Sequence, residues 1–362
     1  MTTAASLASY TSSLPNFRNK IINGGMQIAQ RGTSFTFAHD NSSAKPRNGY
    51  HLDRFAIYLH NTDEYECTVS QYSMTSAEIN TTGHTKALKL LTVDAESSGI
   101  ANDEYARITY RPEAKDIQDF LHGTASAKTI TLSFWTKSSV AGTFGFNLYR
   151  YVSSGTARSI NLSYTINAIN TWEHKTIQIP GDTGGNLAPN DTTAGFILIW
   201  QLASGSDRYS TAATSWGDYA TTRLMGNHSD AVITTASADW YLTGVQLEIG
   251  TVATPFEHRP IGMELSLCKR YFENLGLTYS GHWGGVKGPQ MATSIYFDVE
   301  KRATPDVDDA VTRNADSGAT ATVVAQAITT RKAHYYLGTV GGSNGHSVHV
   351  YATNGINVDA EL

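Results

Sequence analysis

Gly341, Ser343 and Gly345 give the spacing of a G-x-S-x-G nucleophile elbow, which presents a serine on a strand-to-helix turn. The next residues, HSVHVYA, alternate like a strand, so this segment reads as a hairpin loop. Asp306, Asp308 and Asp309 bring three carboxylates together after Pro305, without the ligand pattern and central glycine of an EF-hand loop. They read as a solvated turn. Cys67 and Cys268 belong to no C-x-x-C pair and no Cys/His set with zinc spacing, so both are expected to be buried free thiols. The histidines, His51, His60 and His84 among them, are scattered without ligating intervals. There is no H-E-x-x-H, no Walker sequence and no G-x-G-x-x-G after a strand. The expectation is a chain without catalytic residues, metal or cofactor.

Recognition chemistry has better candidates. The connection Ala203–Ala236 is longer than the roughly 12–15 residues of an ordinary loop, a length usually tied to function or to disorder. It carries Asp207, Arg208, Tyr209, Trp216, Asp218 and Tyr219 among small polar residues. Rings flanked by carboxylates and amides suit a sugar, whose C–H face covers a ring while its hydroxyls take the polar groups. The other reading is that Trp216 and Leu224 fold the loop back onto the body of the protein, with the tyrosines packed beneath. A second set lies in the glycine-rich segment Gly276–Gly288, where Tyr279, His282 and Trp283 are expected to be exposed. The candidate glycan contacts are therefore Asp207, Tyr209, Trp216, Tyr219, His282 and Trp283.

These residues are carried by strands. Period-2 alternation, with Phe55, Ile57 and Leu59 on one face of the first run, marks residues 53–60, 65–71, 87–93, 105–111, 129–137, 143–151, 159–166, 172–179, 195–202 and 240–248. Phe134, Trp135, Phe196, Ile197 and Trp200 are the expected core. Helical periodicity is nearly absent, and residues 114–122 suit a single turn between sheets. Ten short strands separated by polar loops imply a β-sandwich or barrel, and an antiparallel two-sheet sandwich is the jelly-roll solution to edge exposure. The chain has 362 residues and a formal net charge of −5, which suggests two domains and disfavours a protein that tracks phosphates along nucleic acid. No apolar run approaches the roughly 20 residues of a membrane span, and the first residues lack a leader's charged and apolar regions.

The stretch Trp240–Phe272 joins the two halves. Tyr241, Thr243, Val245 and Leu247 share one face of its strand; Gly250, Pro255 and Pro260 interrupt the ladder. Ile261, Leu265, Cys268 and Phe272 then recur at helical spacing, with Met263, Leu267 and Tyr271 forming a second apolar row. Two rows imply burial on two sides, so Met263, Leu267 and Tyr271 are candidate domain or subunit contacts. GVQLEIG followed by ATPFEHRPIGMELSLCKRYFE, together with NKIINGGMQIAQRG and GYHLDRFAIYL, resembles bacteriophage tail-fibre and related virion proteins that carry a carbohydrate-binding-module-like jelly roll. Phe55 stands where that pattern usually has tryptophan. The resemblance implies a jelly-roll sandwich over residues 19–258 after an attachment arm at 1–18, a linker helix at 259–274 and a small β domain at 275–362. It implies a non-enzymatic virion component made in the host cytoplasm: a homotrimeric tail fibre or spike that docks on other tail or baseplate subunits through its N-terminal arm and adheres to host surface polysaccharide. The alternatives are a capsid or baseplate decoration protein that makes no receptor contact and a glycan-degrading tailspike.

Overall fold

The computed structural model describes residues 17–39, 46–208, 214–223, 228–275, 278–282, 291–307, 312–315, 323–337, 347–351 and 356–362. The chain divides into two compact units, Met1–Pro260 and Ile261–Leu362.

The first unit is an antiparallel jelly-roll sandwich. One sheet has the order β1 (Ser34–Ala38), β4 (Glu66–Ser73), β5 (Lys86–Asp94), β13 (Asp239–Ile249), β7 (Ile130–Ser138), β10 (Glu173–Ile179). The other runs β12 (Gly217–Asp218), β9 (Arg158–Ile166), β8 (Gly142–Arg150), β11 (Phe196–Ser204), β6 (Tyr105–Tyr110), β3 (Phe55–His60), β2 (Asn48–Tyr50). All ten expected strands are present. The alternation that reveals them also builds the core, because every second side chain points between the sheets. Trp200 sits at the centre, with ring centroids 5.4 Å from Phe146, 6.0 Å from Phe134 and 6.3 Å from Phe55. Each such fully buried ring contributes roughly 1.5–3 kcal/mol. Residues 114–120 form a 3₁₀ turn whose Ile117 and Phe120 enter the same core.

Two expectations are corrected. Trp135 is not core: β7 alternates, so when Phe134 points in, Trp135 must point out, and it is only half-buried. Nor do Tyr241, Thr243, Val245 and Leu247 share a face. A bulge between Thr243 and Gln246 shifts the register against β7. Trp240 and Leu242 face the core before the bulge, and Val245 and Leu247 face it after. The extra residue in one strand reverses which parity points inward.

The sequence signatures at the two ends of this unit meet in space. Asn19 Oδ1 accepts from the N–H groups of Ile21 (2.9 Å) and Leu247 (3.0 Å), its Nδ2 donates to the Val245 carbonyl (3.2 Å), and its own N–H donates to Glu257 Oε2 (3.0 Å). Arg259 donates to the carbonyls of Ile21 (3.0 Å) and Asn19. Gln246 Oε1 accepts from the Glu257 N–H at 2.8 Å, while Glu248 holds the Thr254 N–H (2.9 Å) and hydroxyl (2.7 Å). Gly24 lies so close that a Cβ there would meet the Val245 carbonyl oxygen at 2.1 Å. The segment by which the chain leaves the sandwich is thus stapled to its beginning.

The second unit opens with α3 (Ile261–Lys269), preceded in the chain by α1 (Ser76–Thr82) and α2 (Ala231–Thr234) of the first. The helix is shorter than its apolar spacing suggested. The Tyr271 N–H turns back to the Cys268 carbonyl (2.9 Å), and Phe272 begins β14 (Phe272–Leu275). Met263 is 39 % exposed, Leu267 half-buried and Tyr271 buried. Three small antiparallel sheets complete the unit: β14 with β22 (Ile356–Asp359) and β17 (Asp306–Val307); β15 (Thr278–His282) with β21 (Ser347–Tyr351) and β18 (Thr312–Ala315); β16 (Met291–Tyr296) with β20 (Lys332–Leu337) and β19 (Val323–Gln326). A fully buried ion pair, Lys301 to Glu273 at 2.8 Å, lies beside the first. Within the glycine-rich segment, β15 pairs along its length with β21. Residues 341–345 and 308–309 lie outside the described residues. Both cysteines are buried free thiols, and burial pushes the Cys67 thiol up to about 12. Among the described residues no helix is long and apolar enough to cross a membrane.

Candidate functional site

The residues proposed from the long connection are dispersed. Asp207 is exposed on a short 3₁₀ turn, its N–H bonded to the Asn102 carbonyl (2.8 Å) in the loop before β6. Trp216 lies across the sheet beside β9. It is half-buried, its indole N–H donates to the Pro180 carbonyl (2.6 Å), and its ring stands edge-on to His122 at 5.7 Å. Tyr219 stacks edge-on to Tyr149 at 5.0 Å, and its N–H bonds to the Ala157 carbonyl (2.7 Å). In this arrangement Trp216 fastens the loop. The Arg223 carbonyl, in the same connection, accepts from Asn147 Nδ2 at 3.3 Å, so the loop lies over part of the seven-stranded sheet's outer face. Tyr209 and Trp283 lie outside the described residues, and His282 ends β15 opposite Ser347.

A concave feature lies on the outer face of the other sheet. It is an open groove of about 530 Å³, lined by Thr82, His84, Ser133, Trp135, His174, Gly244, Ala253, Thr254, Pro255, Phe256 and His258. That volume is within the roughly 300–1,000 Å³ of small-molecule sites. Its floor comes from β7 and β10, where Trp135 pairs with His174 and the rings lie 5.1 Å apart. One wall is the end of α1, which supplies Thr82 and leads into His84. The other is the crossing after β13, with Phe256 and His258. His84 is the hinge between the walls: its ring is 4.7 Å from Phe256 and 5.5 Å from His258.

The bulge in β13 makes this space. Gly244 has φ +61°, and a Cβ there would fall 2.5 Å from His84 Nε2 and 3.1 Å from Trp135 Cδ1. Only glycine combines that backbone with that clearance. A set of interlocked side chains backs the Trp135 end of the groove. Lys137 Nζ lies 4.2 Å from the Tyr241 ring centroid and 5.2 Å from that of Trp172, and it pairs with Glu78 Oε1 at 2.6 Å. Glu78 also takes the Trp172 indole N–H (3.0 Å) and the Tyr72 hydroxyl (3.0 Å). Burial works to raise the Glu78 carboxyl, but the bonds from Lys137, the Thr75 N–H, Trp172 and the Thr75 hydroxyl hold it at about 2. The cation-binding faces of these rings are thus already filled by the protein's own lysine.

The groove can bind and orient. Trp135 offers a half-exposed indole, His174 and His258 are exposed, and Ser133, Thr82 and Thr254 supply hydroxyls. His84 is neutral at physiological pH, because burial, with the His258 and His174 imidazoles beside it, lowers it to about 4. Among the described residues, no carboxylate and no cysteine lines the groove. Sequence reasoning missed this site. The strand pattern suggests a core position for Trp135, and His84, His174 and His258 are separated by long stretches of chain. The one available signal was Gly244 inside an otherwise regular strand, which marks a bulge or a close approach.

No family model and no curated protein matches the chain. Among solved structures it is similar to the enzymatically active domain of tailspike protein 4 of bacteriophage CBA120, at 11 % identity and a TM-score of 0.32, over 64 % of this chain and 22 % of that one. It is also similar to the family 11 carbohydrate-binding module of a cellulosomal cellulase from Clostridium thermocellum, at 14 % identity and a TM-score of 0.28, over 56 % of this chain and 90 % of the module. The match thus spans about a fifth of the tailspike domain's length. Both are likenesses of chain path, and neither bears on what the groove holds.

Proposed function

We propose that the chain is a non-catalytic adhesion protein of a phage particle and that its sandwich binds a host-surface glycan in the groove between His84 and Trp135. The observation that carries the reading is the groove itself. It places a half-exposed indole on its floor, with imidazoles and hydroxyls around the rim, on a rigid sheet. A sugar ring matches that pairing of an apolar face with peripheral hydrogen-bonding groups. The particle assignment rests on the resemblance of the end signatures to virion proteins. In that setting the active form is a homotrimer, docked to other virion subunits through its N-terminal arm, in which weak contacts combine through avidity.

The test is affinity electrophoresis of the full chain in gels containing host surface polysaccharide, alongside Trp135→Ala and His258→Ala. Retardation by wild type and roughly tenfold weaker binding by both variants is the expected result. His258→Ala, at an exposed position, should leave the melting temperature within about 2 °C of wild type. Undiminished binding by both variants would move the site elsewhere, and release of oligosaccharide by wild type would overturn the non-catalytic reading.

A further inference from the structure

Beside the Trp135 indole, the polar side chains lining the groove are the imidazoles of His84, His174 and His258 and the hydroxyls of Thr82, Ser133 and Thr254. The imidazoles come from three separate elements. His84 follows α1, His174 lies on β10, and His258 belongs to the crossing after β13. Their rings are close to one another or to the indole: His84 is 5.5 Å from His258, and His174 is 5.1 Å from Trp135. His84 is 4 % exposed and packs between the walls, whereas His174 and His258 are exposed. Exposed side chains add little to stability, so packing does not account for those two.

The charged groups around these imidazoles are matched within the protein. On β10, Glu173 and Lys175 flank His174 and pair with each other. Glu257 and Arg259 flank His258 and lie 3.7 Å apart. Glu248, which takes the Thr254 hydroxyl, pairs with Arg18 at 3.4 Å. Behind Trp135, Glu78 pairs with Lys137 at 2.6 Å. A proton gained by His174 or His258 thus adds positive charge to a wall whose nearby acids already have a cation. His84, held at about 4, stays neutral while its neighbours charge, so it does not repel them.

We infer that the glycan held in this groove is acidic: one sugar unit covers Trp135 while its carboxylate is taken by His174 and His258, more tightly as they gain protons. The inference rests on the groove being the glycan site. A neutral imidazole donates one N–H, but an imidazolium donates two and carries charge, and a charge-assisted hydrogen bond is about twice as strong as a neutral one. Imidazoles ordinarily change charge between about pH 5 and 8. Burial draws His174 down from its ordinary value, and a carboxylate bound beside it works in the opposite direction. Binding and protonation therefore support each other, and affinity rises toward the acid side. The chain's formal net charge of −5 would repel a polyanion in general, so the attraction is local to the groove. Uronic and sialic acids offer the same carboxylate chemistry.

The experiment is affinity electrophoresis of the full chain at about pH 7.5 and about pH 5.5. The gels contain polygalacturonate, its methyl ester, polysialic acid or dextran. One or both acidic polymers should retard wild type, roughly tenfold more tightly at the lower pH. Which of them does so identifies the source of the carboxylate. The methyl ester and dextran should show no such gain. The double variant His174→Gln/His258→Gln should melt within about 2 °C of wild type at the higher pH and lose the acid-side gain. Equal retardation by the methyl ester or dextran at both pH values overturns the acidic ligand and leaves the groove as a glycan site. A gain that survives in the double variant also overturns it, since the charge then lies elsewhere. Retardation that Trp135→Ala leaves unchanged, or none by any of the polymers, removes the groove reading and this inference with it.

Discussion

Buried Asp182 is the residue on which most depends in the first unit. Arg150, itself fully buried, donates to Asp182 Oδ2 from Nε (2.9 Å) and Nη2 (2.6 Å), and Arg158 donates to both carboxylate oxygens at 3.0 and 3.1 Å. Burial alone would raise the Asp182 carboxyl, but the bonds from Arg158 and Arg150 lower it. Breaking such a set is worse than never having built it, because buried Arg150 would remain without its anion, while Arg158 keeps only the exposed Asp218. Asp182→Ala is expected to cost roughly 3–5 kcal/mol in urea denaturation; a loss under about 1 kcal/mol would show that Arg150 finds enough compensation in the Gly184 and Asn186 carbonyls. His84 gives a pH prediction. Its folded value of about 4 lies below its ordinary 6.5, so between those limits the unfolded chain binds more protons. Stability from this group is complete above about pH 6.5 and declines as the pH falls toward 4. His51 and His122, both lowered chiefly by burial, slope the same way. His84→Gln should therefore flatten the fall in melting temperature between pH 6.5 and 4 without abolishing it, and an unchanged slope would contradict the assignment.

Among elements, the strands were legible because alternation is a property of sequence. What escaped was whatever alternation does not encode. β1 and β12 lie at sheet edges, where fewer side chains are buried and the pattern fades. α1 is only seven residues long, too short for apolar periodicity, although its Thr75–Glu78 capping box can be read in the sequence. The groove was invisible for a related reason. A period-2 reading carried through Gly244 keeps one parity facing inward, whereas the bulge reverses it and opens space between His84 and Trp135. The end signatures carry the sequence resemblance to virion proteins. The structure gives them a physical role: Asn19, Gln246, Glu248, Thr254, Glu257 and Arg259 satisfy one another's polar groups and the backbone of both chain ends.

The whole molecule comprises two units of unequal size. The larger contains its own two-sheet core, its end-to-end staple and every residue of the groove. A fragment ending at Pro260 is therefore expected to unfold cooperatively, with a melting temperature within a few degrees of the corresponding transition in the full chain. A fragment that shows no cooperative transition would mean that residues 261–362 are required for the sandwich to fold.

The staple also decides how this unit carries force. Because Asn19 is bonded directly to Leu247 and Glu257, and Arg259 to Ile21, the places where the chain enters and leaves the sandwich are side by side. A pull applied through the residues flanking the unit is borne across that short bridge, by several hydrogen bonds loaded together, and never crosses the sheets. The groove wall made by residues 253–258 belongs to that bridge, so tension would reach the groove before it reached the sheets.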